Sequence, residues 1–126
     1  KDAGRVSVFN SNDGIGATLL AVDGSAKGDN FGAAITAAND DWAVGIPLAD
    51  STGKDAGSVQ FFSGLNGVPT STLNGATAGD NFGSALNMQG DVNQDGTNDI
   101  AIGVNRFDAA ADKDTGRAEV LNGAGL

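Results

Sequence analysis

The sequence predicts an all-β fold built from repeated four-stranded antiparallel units, on three observations. Asp outnumbers Glu 15 to 1 and Gly fills 20 of 126 positions, and both residues prefer turns to helix interiors. Large and small side chains alternate in Trp42-Ala43-Val44-Gly45-Ile46 and again in Ile100-Ala101-Ile102-Gly103-Val104, the pattern of a strand with one bulky face and one small face. The chain also restarts on itself. Lys1-Asp2-Ala3-Gly4-Arg5-Val6 returns as Lys54-Asp55-Ala56-Gly57-Ser58-Val59 and as Lys113-Asp114-Thr115-Gly116-Arg117-Ala118, and Gly28-Asp29-Asn30-Phe31-Gly32-Ala33-Ala34-Ile35 returns 51 residues later as Gly79-Asp80-Asn81-Phe82-Gly83-Ser84-Ala85-Leu86.

Each unit parses into four strands. The first follows Phe-Gly, over residues 31–37 and 82–88, and the second is the large-small alternation at 42–46 and 100–104. The third follows the Lys-Asp-x-Gly turn, at 5–9, 58–62 and 117–121, and the fourth ends at Gly, over 17–23 and 70–74. A sheet with bulky residues on one face and Ala or Gly on the other stacks closely on a copy of itself, as propeller blades do. Four strands in a repeat of roughly 40–50 residues is the usual blade content, so the expectation is propeller-type blades, about two per chain. A single β-sandwich from an internal duplication is the alternative.

The units divide the chain as one repeat domain over 1–126. Residues 1–30 supply strands three and four of one unit, 31–78 a complete unit, and 79–126 a unit lacking its last strand. Rings of this kind need about four to eight blades, so the expected object is a partial propeller. It is completed either by neighbouring blades of a longer chain or by homo-oligomerisation, because an uncapped repeat leaves an apolar face bare.

Composition removes much conventional chemistry. With no Cys, His or Tyr, there is no disulfide scaffold, no Cys/His zinc site, no haem ligation and no His- or Cys-based catalysis; the chain is read as a non-enzyme. A formal charge of −9 repels phosphate backbones, so nucleic acid is not an expected partner and cations are. The longest apolar runs, such as 17–22, fall far short of the roughly 20 residues that span a bilayer. The first residue is Lys, with no charged-then-apolar leader, from which a mature or excised piece of a longer chain is expected.

Asp91-Val92-Asn93-Gln94-Asp95-Gly96-Thr97-Asn98-Asp99 joins strands one and two of the last unit. Oxygen donors at positions 1, 3 and 5, Gly at 6 and a backbone carbonyl at 7 follow the spacing by which an EF-hand loop wraps Ca²⁺. The expected ligands are the side chains of Asp91, Asn93, Asp95 and Asp99 with the Thr97 carbonyl. Without metal, three carboxylates in nine residues repel one another. An EF-hand would carry an acidic ligand at position 12 and continue as a helix, but that position is Ile102, inside the next strand pattern. The alternative is an Asx-rich turn that needs no ion. The first unit lacks the loop: Gly32 to Gly45 spans 13 residues against 20 from Gly83 to Gly103, leaving only Asn39, Asp40 and Asp41.

Phe82-Gly83, Asp91-x-Asn93-x-Asp95-Gly96-x-x-Asp99-Ile100 and Ile102-Gly103 together resemble an FG-GAP repeat, the blade unit of the integrin α-subunit propeller and of many bacterial surface proteins. Phe31-Gly32 with Val44-Gly45-Ile46-Pro47 resembles a second copy without the cation loop, and Asn105 departs from the Pro the family tends to carry there. The resemblance covers nearly the whole chain as two repeats and a fraction. It implies a four-stranded blade, Ca²⁺ on the loop, and adhesion or recognition of a protein or glycan ligand on a secreted or cell-surface protein. Two other readings stay open: an accessory non-catalytic domain of an extracellular carbohydrate-active or other enzyme, and a designed or reconstructed self-assembling fragment.

Lesser features read as structure. Gly14-x-Gly16 fits a hairpin better than a dinucleotide loop, since no third Gly or helix pattern follows. The Phe residues at 9, 31, 61, 62, 82 and 107 fit core packing better than a stacking platform. Trp42 takes the position of Ile100 and is expected to fill the space between blades. Lys1, Lys54 and Lys113 precede turns and are expected in solvent.

Overall fold

The computed structural model describes residues 3–10, 12, 16–110 and 112–126. Nine strands and no helix occur among them: β1 Arg5–Phe9, β2 Thr18–Asp23, β3 Ala34–Ala38, β4 Asp41–Ile46, β5 Ser58–Ser63, β6 Ser71–Asn74, β7 Phe82–Gly90, β8 Asp99–Val104 and β9 Arg117–Leu121. They form three antiparallel sheets, β1-β2, β3-β4-β5-β6 and β7-β8-β9, which do not close into a ring. No helix among the described residues is long and apolar enough to cross a membrane. Lys1 and Gly14 lie outside the described residues, and with them the first two residues of the first restart and part of the Gly14-x-Gly16 motif.

Each expected strand is present, with starts within one residue of expectation except one. β3 begins at Ala34 rather than Phe31, because Gly32 takes φ +90° and the Ala33 amide turns back to the Asn30 carbonyl. β7 does begin at its Phe, and the ladder to β8 slips between Phe82 and Ala85. The same Phe-Gly pair thus ends in a turn in one unit and in a bulged strand in the other.

The middle sheet lies between the other two. On one face Trp42, Val44 and Ile46 of β4 and Phe62 of β5 cluster with Val6 of β1, with Leu20 and Val22 packed alongside. On the other face Ala43, Val59 and Phe61 meet Phe82, Ile100 and Ile102 of the third sheet. Period-two alternation on β4 therefore serves two cores at once. Full burial of side chains such as Val44, Val59, Phe62 and Ile100 stabilises by about 1.5–3 kcal/mol each.

The small face is small for a reason. A Cβ on Gly45 would collide with the Gly83 carbonyl oxygen, so the inner strands β4 and β7 approach closer than side chains allow. At the rim of this contact the Thr36 hydroxyl accepts from the Met88 amide at 3.0 Å, and Asn81 Nδ2 donates to the Pro47 carbonyl at 3.0 Å.

Hydrogen bonds repeat as the sequence does. The Phe31 amide donates to Ala3 O and its counterpart Phe82 to Ala56 O, the latter tying the third sheet to the second, while the Gly24 amide donates to Gly4 O and the Gly75 amide to Gly57 O, each extending its own outer ladder. The two junctions between sheets are built on one plan.

Four of the phenylalanines, 31, 61, 62 and 82, are buried. Phe9 is the exception at 58% exposure. Its counterpart Phe62 is covered by Trp42, but among the described residues the first sheet consists of β1 and β2 and offers Phe9 no such neighbour.

Candidate metal centre

The loop over 91–98 hangs between β7 and β8, closed at its base by the Gly90–Asp99 ladder pair. The equivalent connection between β3 and β4 is two residues, Asn39 and Asp40, closed by Ala38–Asp41, with Asn39 at φ +56°. Asn tolerates this left-handed conformation better than most residues. In the long loop Gln94 and Gly96 take the positive φ values, +61° and +90°.

Side-chain oxygens fold the loop by accepting its own amides. Asp91 Oδ1 accepts from the Asp95 amide at 3.0 Å and Oδ2 from the Gly96 amide at 2.8 Å. Asn93 Oδ1 shares that Asp95 amide at 3.0 Å, and its Nδ2 donates to Asp95 Oδ2 at 2.9 Å. Asp95 Oδ1 accepts from the Thr97 amide at 2.9 Å. The structure therefore brings Asp91, Asn93, Asp95 and Thr97 into one exposed, hydrogen-bonded ring.

Asp99 stands apart from that ring. It is buried at 3% exposure; Oδ2 accepts from the Val92 and Asn93 amides at 2.8 and 3.2 Å, and Oδ1 from the Gly123 amide at 3.2 Å. It anchors the start of the loop and the segment after β9 to the same carboxylate. Buried charge is costly unless it is hydrogen-bonded, and these amides meet that need.

Asp95 is held below the usual carboxylate range, first by the Thr97 amide and then by the Asn93 side chain, with Asn122 contributing less. None of the ion pairs formed by described residues reaches Asp91, Asp95 or Asp99. Among the described residues, no group of three or more His, Cys, Asp or Glu side chains is gathered closely enough to hold a metal ion.

The donor set fits a hard cation in its chemistry, being oxygen throughout. An ionised carboxylate has about four acceptor sites. Asp91 uses one hydrogen bond on each oxygen and keeps acceptor capacity, whereas Asp95, engaged by Thr97, Asn93 and Asn122, and Asp99, which accepts from three amides, keep less.

Sequence reasoning missed the residues that brace this loop from outside, Asn122 and Gly123. A Cβ on Gly123 would strike the Asn98 carbonyl oxygen, so the segment after β9 lies against the loop. Gly123 follows its strand much as Gly75 follows β6, but its bond to Asp99 spans 24 residues and leaves no local signal.

A second acidic pattern was also missed. Asp50 Oδ1 accepts from the Asp55 amide at 2.8 Å, and Asp108 Oδ1 from the Asp114 amide at 2.8 Å; Asp55 and Asp114 sit at φ +54° and +51°. These are the Asp residues of the second and third Lys-Asp-x-Gly restarts, so an upstream carboxylate holds each of those two turns. Asp29 faces the first of these turns and its carboxyl is pushed up, mainly by burial and then by Asp50 and Asp55. Trp42 is buried, stacked on Phe62, and donates from Nε1 to Gly64 O at 2.9 Å.

Compared with known protein families, the chain matches no family model.

Proposed function

We propose that the chain is a Ca²⁺-binding β-repeat module of the FG-GAP blade type, giving structural support and adhesion or ligand recognition on a secreted or cell-surface protein. One observation carries the cation part: an exposed loop presents Asp91, Asn93 and Asp95 in a hydrogen-bonded ring, and no ion pair of the described residues neutralises its carboxylates. Asp91, Asn93, Asp95 and the Thr97 carbonyl are the ligands of this reading, with Asp99 the base on which they stand. A divalent ion there would offset repulsion that amide dipoles only partly relieve. The repeated junctions between sheets support the blade part.

A second reading is favoured by the same hydrogen bonds: the loop holds itself by Asx turns and needs no ion. Calorimetric titration with CaCl₂ separates the two. Saturable binding to one site, with a rise in melting temperature, supports the cation module. No heat and an unchanged melting temperature at millimolar CaCl₂ would leave the self-braced turn.

A further inference from the structure

We propose that the cleft between successive sheets, present twice in the chain, binds a neutral sugar, with Asp29 in the first copy and Asp80 in the second as the central hydrogen-bond acceptor. This assignment rests on the ligand-recognition part of the reading above and is independent of the cation.

A cleft of about 550 Å³ lies between the first and middle sheets, and one of about 370 Å³ between the middle and third. Both fall within the roughly 300–1,000 Å³ of small-molecule sites. They are one feature of the repeat. Asp29, Phe31 and Ile46 line the first where Asp80, Phe82 and Val104 line the second. Val22 and Gln60 are likewise replaced by Leu73 and Glu119, and every one of these pairs holds matching positions of the sequence repeat. The first cleft is walled wholly within residues 22–74. Its floor includes two cross-strand pairs of β5 and β6, Ser58–Asn74 and Gln60–Thr72, on one face of the sheet. The loop before β6 leans on β2, since a Cβ on Gly67 would lie 3.0 Å from Leu20 Cδ1, and this closes one end.

Several polar groups around the first cleft are already engaged. Ser58 Oγ lies 2.9 Å from both Ser51 Oγ and Asn74 Oδ1, and Asp50 holds the Asp55 amide. Asp29 and Gln60 are not: neither side chain hydrogen-bonds another described residue. Asp80 repeats the case in stronger form. It is only 6% exposed, yet its carboxyl group accepts from no described residue and lines the second cleft. A buried carboxylate without donors is costly, so both positions are set for donors that come from outside the chain.

The two walls select the ligand. Anions are disfavoured, because the charged groups lining the first cleft are Asp23, Asp29 and Asp50. In the second, Arg117 is already paired with Glu119 and lies over Phe107 at 4.2 Å. An ammonium group would suit the first wall but meets that guanidinium in the second. A ligand common to both clefts is therefore uncharged and rich in donors. It also has an apolar face, to lie against Val22 and Ile46 or against Leu73 and Val104. A pyranose ring offers both: adjacent hydroxyls for a carboxylate, which has about four acceptor sites, and a C–H face for the aliphatic side chains.

NMR titration of the isotope-labelled chain with the methyl glycosides of glucose, galactose, mannose and N-acetylglucosamine tests the site. At high millimolar sugar, at least one glycoside is expected to shift the amides of Asp29, Gln60 and Thr72 together, and those of Asp80 and Glu119 with them. Asp29→Ala is expected to weaken binding in the first cleft by about tenfold or more, the usual effect of losing a hydrogen bond to a charged group, and to leave the second cleft unchanged. Gln60→Ala makes the same comparison if Asp29→Ala fails to fold. Shifts caused by butylammonium and by none of the glycosides overturn the proposal. So do shifts that avoid both clefts, or no shift with any glycoside. The titrations run in EDTA as well as CaCl₂. Failure of the sugars with calcium binding intact removes this site and leaves the cation module standing, whereas sugar binding without calcium binding does the reverse.

Discussion

Gly45 of β4 and Gly83 of β7 meet back to back: a Cβ on Gly83 would lie 3.5 Å from Gly45 Cα, and one on Gly45 would run into the Gly83 carbonyl. This contact sets how near the second and third sheets can come. Gly45→Ala must push them apart and is expected to cost about 1–3 kcal/mol, the usual range for overpacking. Gly90→Ala is the comparison, because its nearest neighbour would be Val92 Cγ2 at 4.0 Å. Urea unfolding of the two variants should differ clearly; equal midpoints would mean that the sheets are free to shift.

Trp42 stacks on Phe62 with ring centroids 4.0 Å apart and planes 11° from parallel. Trp42→Ala removes the ring, opens a cavity in the first core and orphans the Gly64 carbonyl. A loss of about 3–5 kcal/mol is expected, a large part of the roughly 5–15 kcal/mol of a small domain. Chemical denaturation checks it, and a loss under about 1 kcal/mol, well below the usual cost of such a truncation, would show that the stack contributes little.

On the cation reading, Asp95→Ala lowers calcium affinity and the melting temperature in CaCl₂, while Asp40→Ala in the short hairpin changes neither. At a free ion concentration of about 100 Kd, binding stabilises by about 2.7 kcal/mol if the unfolded chain does not bind. Titration calorimetry and thermal melts of both variants decide the point. Equal losses in the two variants would remove Asp95 from the ligand set.

The nine strands were legible because their signals are local: large-small alternation, Gly after each outer strand, and restart turns that return at nearly fixed spacing. β1 and β9 fall where the pattern places them. The start of β3 does not, since whether Phe31-Gly32 turns or pairs depends on β4 and on the Asn30 carbonyl. In the candidate site, the spacing of Asp91, Asn93 and Asp95 pointed to oxygens wrapped around an ion, and the structure shows those side chains hydrogen-bonded to one another and to the loop's own amides. It could not announce that Asp99 turns inward, because the Gly123 amide it accepts lies 24 residues away.

Asp29 supplies a pH signature. Its carboxyl is raised from a reference value of 3.8 by burial, then by Asp50 and Asp55. A raised carboxyl favours the folded state below the unfolded value, and that advantage is lost as pH rises through the folded one. Asp29→Asn is therefore expected to melt higher than the parent at neutral pH, with the gap closing as pH falls through the carboxylate range. A gap independent of pH would assign the effect to packing.

Asp95 has the opposite sign. Its carboxyl is lowered, so its contribution is present above the unfolded value and fades as pH falls through the folded one. Asp95→Asn should cost stability at neutral pH in EDTA and become neutral in strong acid. Thermal melts across that interval test it, and a penalty persisting in strong acid would point to lost shape rather than lost charge.

The two connections between first and second strands, one of two residues and one of eight, close on the same kind of ladder pair, Ala38–Asp41 and Gly90–Asp99. The same pair of strands thus closes over a loop of either length. Foreign peptides, recognition epitopes or a second cation motif spliced between Ala38 and Asp41 would be displayed at the same end of the molecule as the native acidic loop, with both sheets supplying ready-made anchorage.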